Sequence, residues 1–348
     1  ISSGWSTSRS RSSTWLAMPL SLRRGTVSAI REQNEELVRL LVDGEPCLAY
    51  PRLTGQVEVG DEVIVNTQAR DLGLGSGGFD ILHANLTRGM GLVGEPGARV
   101  MTLPYTPVQA ATRHVEEDGE LPSGLNGMSV VCCSLHRQVA PVCAGLRRRH
   151  RLRVAYAQLG GGALPVSLSD SVRVLKRGGY IEVAVAVAPC LDGDVQAVTA
   201  ASALAWCSAQ GFDVVVCSIG PGIVGTRSAL GHGGLVAVEA ANTAAALGGT
   251  PVLAVRYSEV DPRETQRGVS RHTRAILELS AADVQVAWPH GLEAPDWLSH
   301  REEVDVEGWH EECGRLPFSH IGRGLEEEPW FFMCAFAAGE VARVRVAE

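Results

Sequence analysis

The sequence predicts an α/β protein whose main domain is a doubly wound, mostly parallel sheet, preceded by a small β-rich, barrel-like domain. From about Gly127 to Pro289, apolar runs of strand length alternate with segments of helical length. Such βα alternation requires a parallel sheet with right-handed crossovers. From Leu22 to about Leu103, short runs alternate apolar and polar residues and are separated by turns, which is typical of a small antiparallel barrel or sandwich.

The chain has 348 residues, enough for about two domains, because single cores seldom grow beyond ~250 residues. We expect a disordered tail over residues 1–17, the β-rich domain over 18–112, a Rossmann-like α/β domain over 127–290, and a final part over 291–348. The final part is acidic and irregular and then becomes mostly apolar, ending in EEEPWFFMCAFAAGEVARVRVAE. Glutamates favour a helix N-terminus, so we expect a C-terminal helix that packs on the core.

The first twenty residues, ISSGWSTSRSRSSTWLAMPL, contain arginines and serines but no apolar core of signal-peptide length. Met18 begins a segment with the pattern of folded protein. We interpret residues 1–17 as a disordered tail or a translation artefact, with a transit peptide as the weaker alternative.

Composition narrows the class of protein. A hydrophobic fraction of 45% and a charged fraction of 20% are ordinary for a globular chain, and no run approaches the ~18 apolar residues of a membrane span. The net charge of −8 argues against nucleic-acid binding, and we interpret the basic run LRRRHRLR as the solvated end of a helix. Nine cysteines without a CxxC pair indicate buried thiols in a reducing cytoplasm, with disulfides or zinc as alternatives.

The predicted strands of the α/β domain are SVVCCSL, LRVAYAQL, YIEVAVAV, FDVVVCSIG, TPVLAVRYS and DVQVAWP. They are largely apolar, as strands buried on both faces of a sheet are. The predicted helical segments are HRQVAPVCAGLRRR, SLSDSVRVLKRG, DVQAVTAASALAWCSAQG, GLVAVEAANTAAALG and SRHTRAILELSAA.

Polar residues and glycines follow five successive predicted strands. Ligands of open α/β sheets bind beyond the carboxyl ends of the strands, near a topological switch point, so we expect these loops to line one crevice. In strand order the residues are Ser134, His136 and Gln138; Ser169 and Asp170; Asp192 and Asp194; Gly220, Gly222, Gly225 and Thr226; and Asp261, Arg263, Arg267 and His272.

Side-chain chemistry suggests roles for these residues. His136, Asp194 and His272 are the catalytic candidates: His136 or His272 would move protons, and Asp194 would hold a metal or orient the substrate. Arg263 and Arg267 suit a phosphate or carboxylate, to which a guanidinium donates in a planar, bidentate manner. The remaining loop residues are candidates for substrate binding. A solvated loop could have the same composition, and a lone histidine after a strand can be a hydrogen-bonded loop residue.

Asp192 and Asp194 form a spaced pair of carboxylates. They could hold Mg²⁺ or another divalent metal, or orient a substrate amine or hydroxyl. They also stand where a helical segment is predicted to begin, so either residue could instead be an N-cap. A divalent metal is therefore one possible cofactor.

The loop GPGIVGT, from Gly220 to Thr226, has the glycines that close backbone approach requires. It matches neither the GxxxxGK[ST] P-loop nor the GxGxxG dinucleotide pattern, so neither ATP nor NAD is implied. The alternative is a tight strand-to-helix turn capped by Thr226.

Two classes of function fit these features. The first is an enzyme acting on a small anion, by metal-assisted hydrolysis or group transfer, at the carboxyl ends of the parallel strands. The second is a non-catalytic module that senses a metabolite in the same crevice or contacts a protein partner. We expect no membrane association and no nucleic acid as partner, and the oligomeric state stays open.

Several stretches resemble an actinobacterial family of unknown function, domain-of-unknown-function family 3866. They are GDEVIVNTQARDLGLGSGG, SLHRQVAP, RVAYAQLGGGALPVSLSDSV, DGDVQAV, GPGIVGT, LGGTPVLAVRYSEVDPR, RGVSRHT and HIGRGLEEEPWFF. The resemblance covers nearly the whole chain and implies an intact architecture without an activity. Family members carry a histidine and two glycines before the equivalent of Asp194 and two adjacent histidines at the helix opening. This chain has Cys190-Leu191-Asp192-Gly193 before Asp194, and Arg271 before His272, which puts catalysis rather than fold in question.

Overall fold

The structure is a computed structural model that describes residues 20–73, 78–148, 152–226, 228–316 and 323–347. Its contacts divide the chain into two compact units, with the division between Leu92 and Val93. The segment 93–112, which the sequence assigned to the β-rich domain, lies in the second unit. The predicted tail over residues 1–17 falls outside the described residues.

The first unit contains a closed barrel in the strand order β1-β2-β3-β5-β4. Strands β3 and β5 are parallel and the other pairs are antiparallel, which is the topology of an OB-fold. The predicted small β-barrel is therefore confirmed. Its elements are β1 (Leu22–Gln33), β2 (Val38–Val42), β3 (Glu45–Ala49), α1 (Pro51–Thr54), β4 (Glu62–Asn66), α2 (Gln68–Asp71) and β5 (Asp80–Asn85).

Arginines on the barrel are matched by carboxylates. Arg88 binds the buried Asp61 at 2.8 Å, and Arg23 lies 2.7 Å from Asp43. Arg23 also lies 3.3 Å from the buried Asp80. Because these guanidiniums have acidic partners within the barrel, they contribute little free positive charge to its surface.

The second unit begins with a hairpin and continues into a βα succession. The strands are β6 (Val100–Thr102), β7 (Ala110–Thr112), β8 (Ser129–Cys133), β9 (Val154–Leu159), β10 (Val183–Val187), β11 (Val195–Ala197), β12 (Val214–Ile219), β13 (Thr250–Ala254), β14 (Tyr257–Ser258), β15 (Gly268–Val269), β16 (Gln285–Pro289) and β17 (Glu302–Val304). The helices are α3 (Val139–Arg147), α4 (Asp170–Arg177), α5 (Ala200–Ala209), α6 (Val236–Ala246), α7 (Arg271–Leu279), α8 (Trp309–Gly314) and α9 (Pro329–Ala347).

Within the described residues, the main sheet has eight strands in the order β11-β10-β9-β12-β8-β13-β16-β17. Every pairing in it is parallel, which confirms the predicted doubly wound α/β fold. The six predicted strands correspond to β8, β9, β10, β12, β13 and β16. The sequence missed the three-residue strands β11 and β17.

The segment after Asp194 is a correction to the predicted helix. Val195 to Ala197 extend the sheet beside β10, and α5 starts only at Ala200, where the Thr199 hydroxyl accepts from the Ser202 amide at 3.1 Å. The helical prediction merged a short strand with the helix because both are apolar.

Helices cover both faces of the sheet. One apolar cluster joins α3, α4 and α9 to one face, and a second joins α5, α6 and α7 to the other. The neighbouring strands β9, β12, β8 and β13 are followed in turn by α4, α6, α3 and α7, so successive connections leave on opposite faces. Such switch points open a crevice at the carboxyl ends of the strands.

Helices α3 and α9 cross in close contact. A Cβ atom on Gly145 would overlap the Phe336 carbonyl, and one on Gly339 would overlap the Val142 carbonyl. Phe336 and Ala337 of α9 are fully buried. All nine cysteines are buried with free thiols. Among the described helices, none has the length and apolarity to cross a bilayer.

Candidate functional site

Glycine-rich segments pack against one another where β9 and β12 end. A Cβ atom on Gly233 would overlap the Gly161 carbonyl, and one on Gly220 would overlap the Ala163 carbonyl. The Val224 amide donates to the Gly161 carbonyl at 2.9 Å. Glycine is needed because backbones approach each other directly. The glycines of GPGIVGT predicted a close backbone approach. In the structure, this approach is between the backbones of neighbouring loops.

Residues 224–226 and 231–233 run antiparallel as the two sides of a hairpin, here called the His232 hairpin. Gly225 and His232 form a bridge, and the Thr226 amide donates to the Gly231 carbonyl at 2.7 Å. The Thr226 hydroxyl donates to the same carbonyl at 3.1 Å, so Thr226 stabilises the hairpin. Gly222 precedes it with a φ of 72°, a conformation that favours glycine.

His136 is buried and ties together three elements. Its Nδ1 lies 3.1 Å from the Ile219 carbonyl at the end of β12, and its Nε2 lies 2.6 Å from the Ser169 hydroxyl. Because a carbonyl only accepts, Nδ1 carries the proton and Nε2 accepts from Ser169. Ser169 also accepts from the Val172 amide as the N-cap of α4. Burial lowers the pKa of His136 to about 4, so the ring is neutral at pH 7.

Gln138 joins the ends of β8 and β13. Its Oε1 accepts from the Leu135 amide at 2.9 Å and from the Ser134 hydroxyl at 3.3 Å. Its Nε2 donates to the Ala254 carbonyl at 2.7 Å, and the residue is fully buried. Ser134 and Gln138 therefore form hydrogen bonds with each other and with the adjacent backbone.

Asp194 does not join the residues at the carboxyl ends of the strands. Its amide donates to the Ala184 carbonyl and its Oδ2 accepts from the Ala184 amide at 2.7 Å, which places it near the beginning of β10. Its Oδ1 binds Lys176. The chain returns along β10 before β11 begins, and the buried Asp192, with a φ of 66°, lies on that return.

Of the two predicted metal ligands, Asp194 is therefore bonded to other parts of the fold, and Asp192 lies in the segment that returns along β10. Both carboxylate oxygens of Asp194 already have partners. Across the described ranges, no group of three or more His, Cys, Asp or Glu side chains is arranged to hold a metal ion. Asp170 opens α4 with a largely exposed carboxylate that pairs with Arg173 of the same helix.

Arginines converge on a buried carboxylate between β13 and α7. Asp261 accepts from Arg256 at 2.5 Å and from Arg263 at 2.9 Å through each of its oxygens. Burial alone would raise the pKa of Asp261, but the Arg263 and Arg256 donors outweigh it and hold the pKa well below the usual range. Arg267 donates to the Asp261 carbonyl at 2.9 Å. Arg256 also donates to the carbonyl and to the Oε1 of Gln266, at 2.7 and 3.1 Å.

The first turn of α7 stacks on the His232 hairpin. Ser270 caps the helix by accepting from the Thr273 amide at 3.1 Å, and the rings of His232 and His272 stack with centroids 3.6 Å apart. His232 is 7% exposed, and neither of its ring nitrogens makes a hydrogen bond of ordinary geometry among the residues the structure describes, although the Ala229 backbone lies close enough to raise its pKa. Buried polar groups usually have partners, so His232 marks a place where a ligand group could supply one.

Both stacked imidazoles are neutral at pH 7. Burial lowers the pKa of His272 to about 4, with further contributions from His232, Arg271, Arg256 and Arg263. Burial and Arg271 also lower the pKa of His232. The local field is therefore positive, which disfavours imidazolium and favours an anion.

The arginine cluster is anchored to α9. Ser258 donates to Glu328 at 2.9 and 3.0 Å and accepts from the Asp261 amide at 3.1 Å. Glu328 is 2% exposed, directly precedes α9, and pairs with Arg323. The segment that carries Asp261 is thus fixed to the core.

A separate cavity of about 380 Å³ is lined by later residues of α7, by β16 and by residues 297–300. Arg274 lies over the Trp297 ring at 5.3 Å and pairs with Glu278 at 2.8 Å. The lining does not include Asp261, Arg263 or His272. Arg274 therefore offers a control for charge changes on the same helix.

The chain matches the profile of the family described as Protein of unknown function (DUF3866) over residues 46–339. It belongs to this family. No protein of curated function matches the chain at a significant level.

Sequence reasoning missed four residues of this region: Arg256, His232, Gln266 and Glu328. Arg256 lies within the predicted strand TPVLAVRYS, which was interpreted as apolar. His232 lies in the string GHGG, whose last glycine opens the predicted helical segment. A histidine between glycines after a glycine-rich loop was the signal that could have identified it.

Proposed function

We propose that this member of the DUF3866 family is an enzyme that binds a small oxyanion at the carboxyl edge of β12, β8 and β13. The site lies between the N-terminus of α7 and the His232 hairpin. One observation carries the proposal: Arg256 and Arg263 bind the buried carboxylate of Asp261 and Arg267 binds its backbone carbonyl, beside two stacked neutral imidazoles. Arg271 adds positive charge next to these imidazoles.

The charge balance supports an anionic ligand. Asp261 neutralises part of the guanidinium charge and orients Arg256 and Arg263, and the side chain of Arg263 is 61% exposed. A guanidinium fixed in this way can donate to a phosphate or carboxylate with little loss of rotamer freedom. The N-terminus of α7 adds to the same positive field.

The proposed chemistry is hydrolysis or group transfer at the bound anion. Guanidiniums beside a reacting oxyanion stabilise the negative charge that develops in the transition state. His272 and His232 provide imidazole nitrogens at the same place. Asp194, with both oxygens bound at the other end of β10, has no part in this proposal.

The test is calorimetric titration of the full chain with inorganic phosphate, sulfate and citrate. Arg263→Ala should weaken binding of whichever anion binds by about 10-fold or more, because a charge-assisted hydrogen bond contributes about 1.5–3 kcal/mol. The control is Arg274→Ala, which removes the same charge from α7 beside the separate cavity. Equal weakening by both variants, or no binding of any of the three anions, would contradict the proposal.

The second candidate, a metabolite sensor without turnover, is favoured by exposed apolar side chains around the His232 hairpin. Ile223, Val224 and Leu230 are 40%, 67% and 66% exposed. A ligand bound beside this hairpin could change how these side chains meet a protein partner. Ligand-dependent change in sedimentation without any product would favour the sensor over the enzyme.

A further inference from the structure

The side chain of Arg256 has a fixed orientation inside the proposed site. The residue is 3% exposed, and its NH2 group donates to Asp261 at 2.5 Å. Its NH1 group donates to the Gln266 carbonyl at 2.7 Å. With its guanidinium held from both sides, Arg256 has one orientation in which to meet the Gln266 side chain.

Arg256 in turn orients the amide of Gln266. A guanidinium only donates, so the atom of Gln266 that faces Arg256 NH1 at 3.1 Å must be the carbonyl oxygen. The amide nitrogen of Gln266 therefore faces the other way, where it lies 3.4 Å from Nε2 of His272. Gln266 is buried, so its amide has little freedom to rotate.

The Gln266 amide then decides which nitrogen of His272 carries a proton. An amide nitrogen only donates, so the facing Nε2 must accept, and a neutral ring then carries its hydrogen on Nδ1. Protonation would place N–H against N–H and remove this interaction. The charged and titratable groups that face His272 are Arg271 on its own helix, His232 on the hairpin, Arg256 at the end of β13, and Arg263 with Asp261 between β14 and β15.

We infer that His272 serves the bound oxyanion as a neutral hydrogen-bond donor through Nδ1–H, and that Gln266 is the positioning residue that fixes this tautomer. The inference rests on the proposed function for its anion and on contacts within the protein for its tautomer. It replaces the proton-transfer role that the sequence suggested for His272. The arginines supply the charge, and His272 supplies a directed N–H.

A donor of this kind suits a negative charge that develops during reaction. A neutral imidazole at a helix N-terminus can polarise an oxygen without giving up its proton. Its contribution to anion binding does not depend on pH near neutrality. A histidine that bound the anion as imidazolium would lose affinity by up to tenfold per pH unit above its pKa.

The tautomer can be measured by two-bond ¹⁵N–¹H correlation on the full chain labelled at histidine, with His272→Asn to assign the signals. The expected result is an Nδ1–H ring that stays neutral from pH 8 to pH 5. Gln266→Glu should move the proton to Nε2 and raise the pKa of His272, because a carboxylate accepts where the amide donated. Gln210→Glu, at the exposed end of α5, adds the same charge and should change neither.

Sulfate is the matching binding probe, because its charge is constant across this pH range. The affinity for sulfate should change less than twofold between pH 6 and pH 8. An Nε2–H tautomer in the wild type, an unchanged tautomer in Gln266→Glu, or tenfold tighter binding per unit fall in pH would overturn the inference while leaving anion binding in place. An intact Nδ1–H tautomer with no binding of sulfate, phosphate or citrate would instead contradict the proposed function, and the donor role with it.

Discussion

Two groups of polar side chains at the sheet's carboxyl edge differ in how they are used, although the strands that they follow alternate along the sheet. In the first group, which follows β8 and β9, His136 bonds to the Ser169 hydroxyl and the Ile219 carbonyl, Gln138 bonds to the Ala254 carbonyl, and all three side chains are buried. In the second group, which follows β12 and β13, neither ring nitrogen of the buried His232 makes a hydrogen bond of ordinary geometry within the described residues, and arginine charge exceeds the charge of Asp261.

This difference shows that position after a strand is not enough to identify a functional residue. Both groups follow strands of one parallel sheet and both contain histidine. In the first group the polar side chains hold loops together, and in the second they leave hydrogen-bonding capacity and positive charge available. We therefore expect substitutions in the first group to reduce stability and substitutions in the second to reduce ligand binding.

The largest effect on stability is expected for Gln138→Ala. This change removes the side-chain amide of Gln138 and leaves the Leu135 amide and the Ala254 carbonyl without their partner. The free energy of unfolding should fall by about 2–4 kcal/mol, as for other buried hydrogen-bond networks. Guanidinium denaturation measures it, with Gln210→Ala on the exposed end of α5 as control. A loss no greater than that of the control would remove the contrast between the two groups.

The second effect concerns pH and His136. Its pKa is about 4 in the folded state, below the ordinary value of 6.5, so the unfolded chain binds a proton more readily. Stability from this group is therefore complete above pH 6.5 and is lost as pH falls towards 4, by about 3 kcal/mol in all.

Denaturation of His136→Asn across the same pH range tests this expectation. The variant cannot titrate at this position, so its free energy of unfolding should fall less steeply with acid than that of the wild type. His300→Asn, at an exposed histidine, serves as the comparison. Parallel pH curves for wild type and His136→Asn would show that His136 is not held neutral by the fold.

The smallest effect on stability is expected for His232→Leu. Replacing a buried polar group that lacks a partner by an apolar one of similar size costs little, so the free energy of unfolding should change by no more than about 1 kcal/mol. Binding of the anion should nevertheless weaken. Thermal denaturation and the anion titration together measure both, and a loss comparable to that of Gln138→Ala would mean that His232 is structural.

Much of the fold could be predicted because the determining signals are local. Apolar runs such as VVVCSI in β12 are continuous in sequence, and the βα rhythm limits the topology. The strand β11 was not predicted, because the residues from Val195 to Ala197 are too few to show a periodic pattern. The position of Asp194 was not predicted correctly, because the chain reverses within seven residues after β10. The prediction assumed a regular helical crossover there.

The candidate site could be predicted only in part, because its decisive relations are not local. Asp261, Arg263 and His272 were identified from one polar segment. The stacking of His232 on His272 joins positions forty residues apart. The role of Gln266 depends on the orientation that Arg256 imposes on the side-chain amide of Gln266. Such pairings follow from packing, which no single stretch of sequence displays.

The crossing of α3 and α9 has a consequence for the order of folding. Gly145 and Gly339 are in contact although roughly 190 positions separate them, so the layer over β8 and β13 cannot close until α9 has been synthesised. Contacts of such sequence range slow folding and leave apolar surface exposed during synthesis. A ribosome-bound chain ending before Pro329 should therefore present the apolar side of α3 to chaperones, and release of α9 should be the step that ends this exposure.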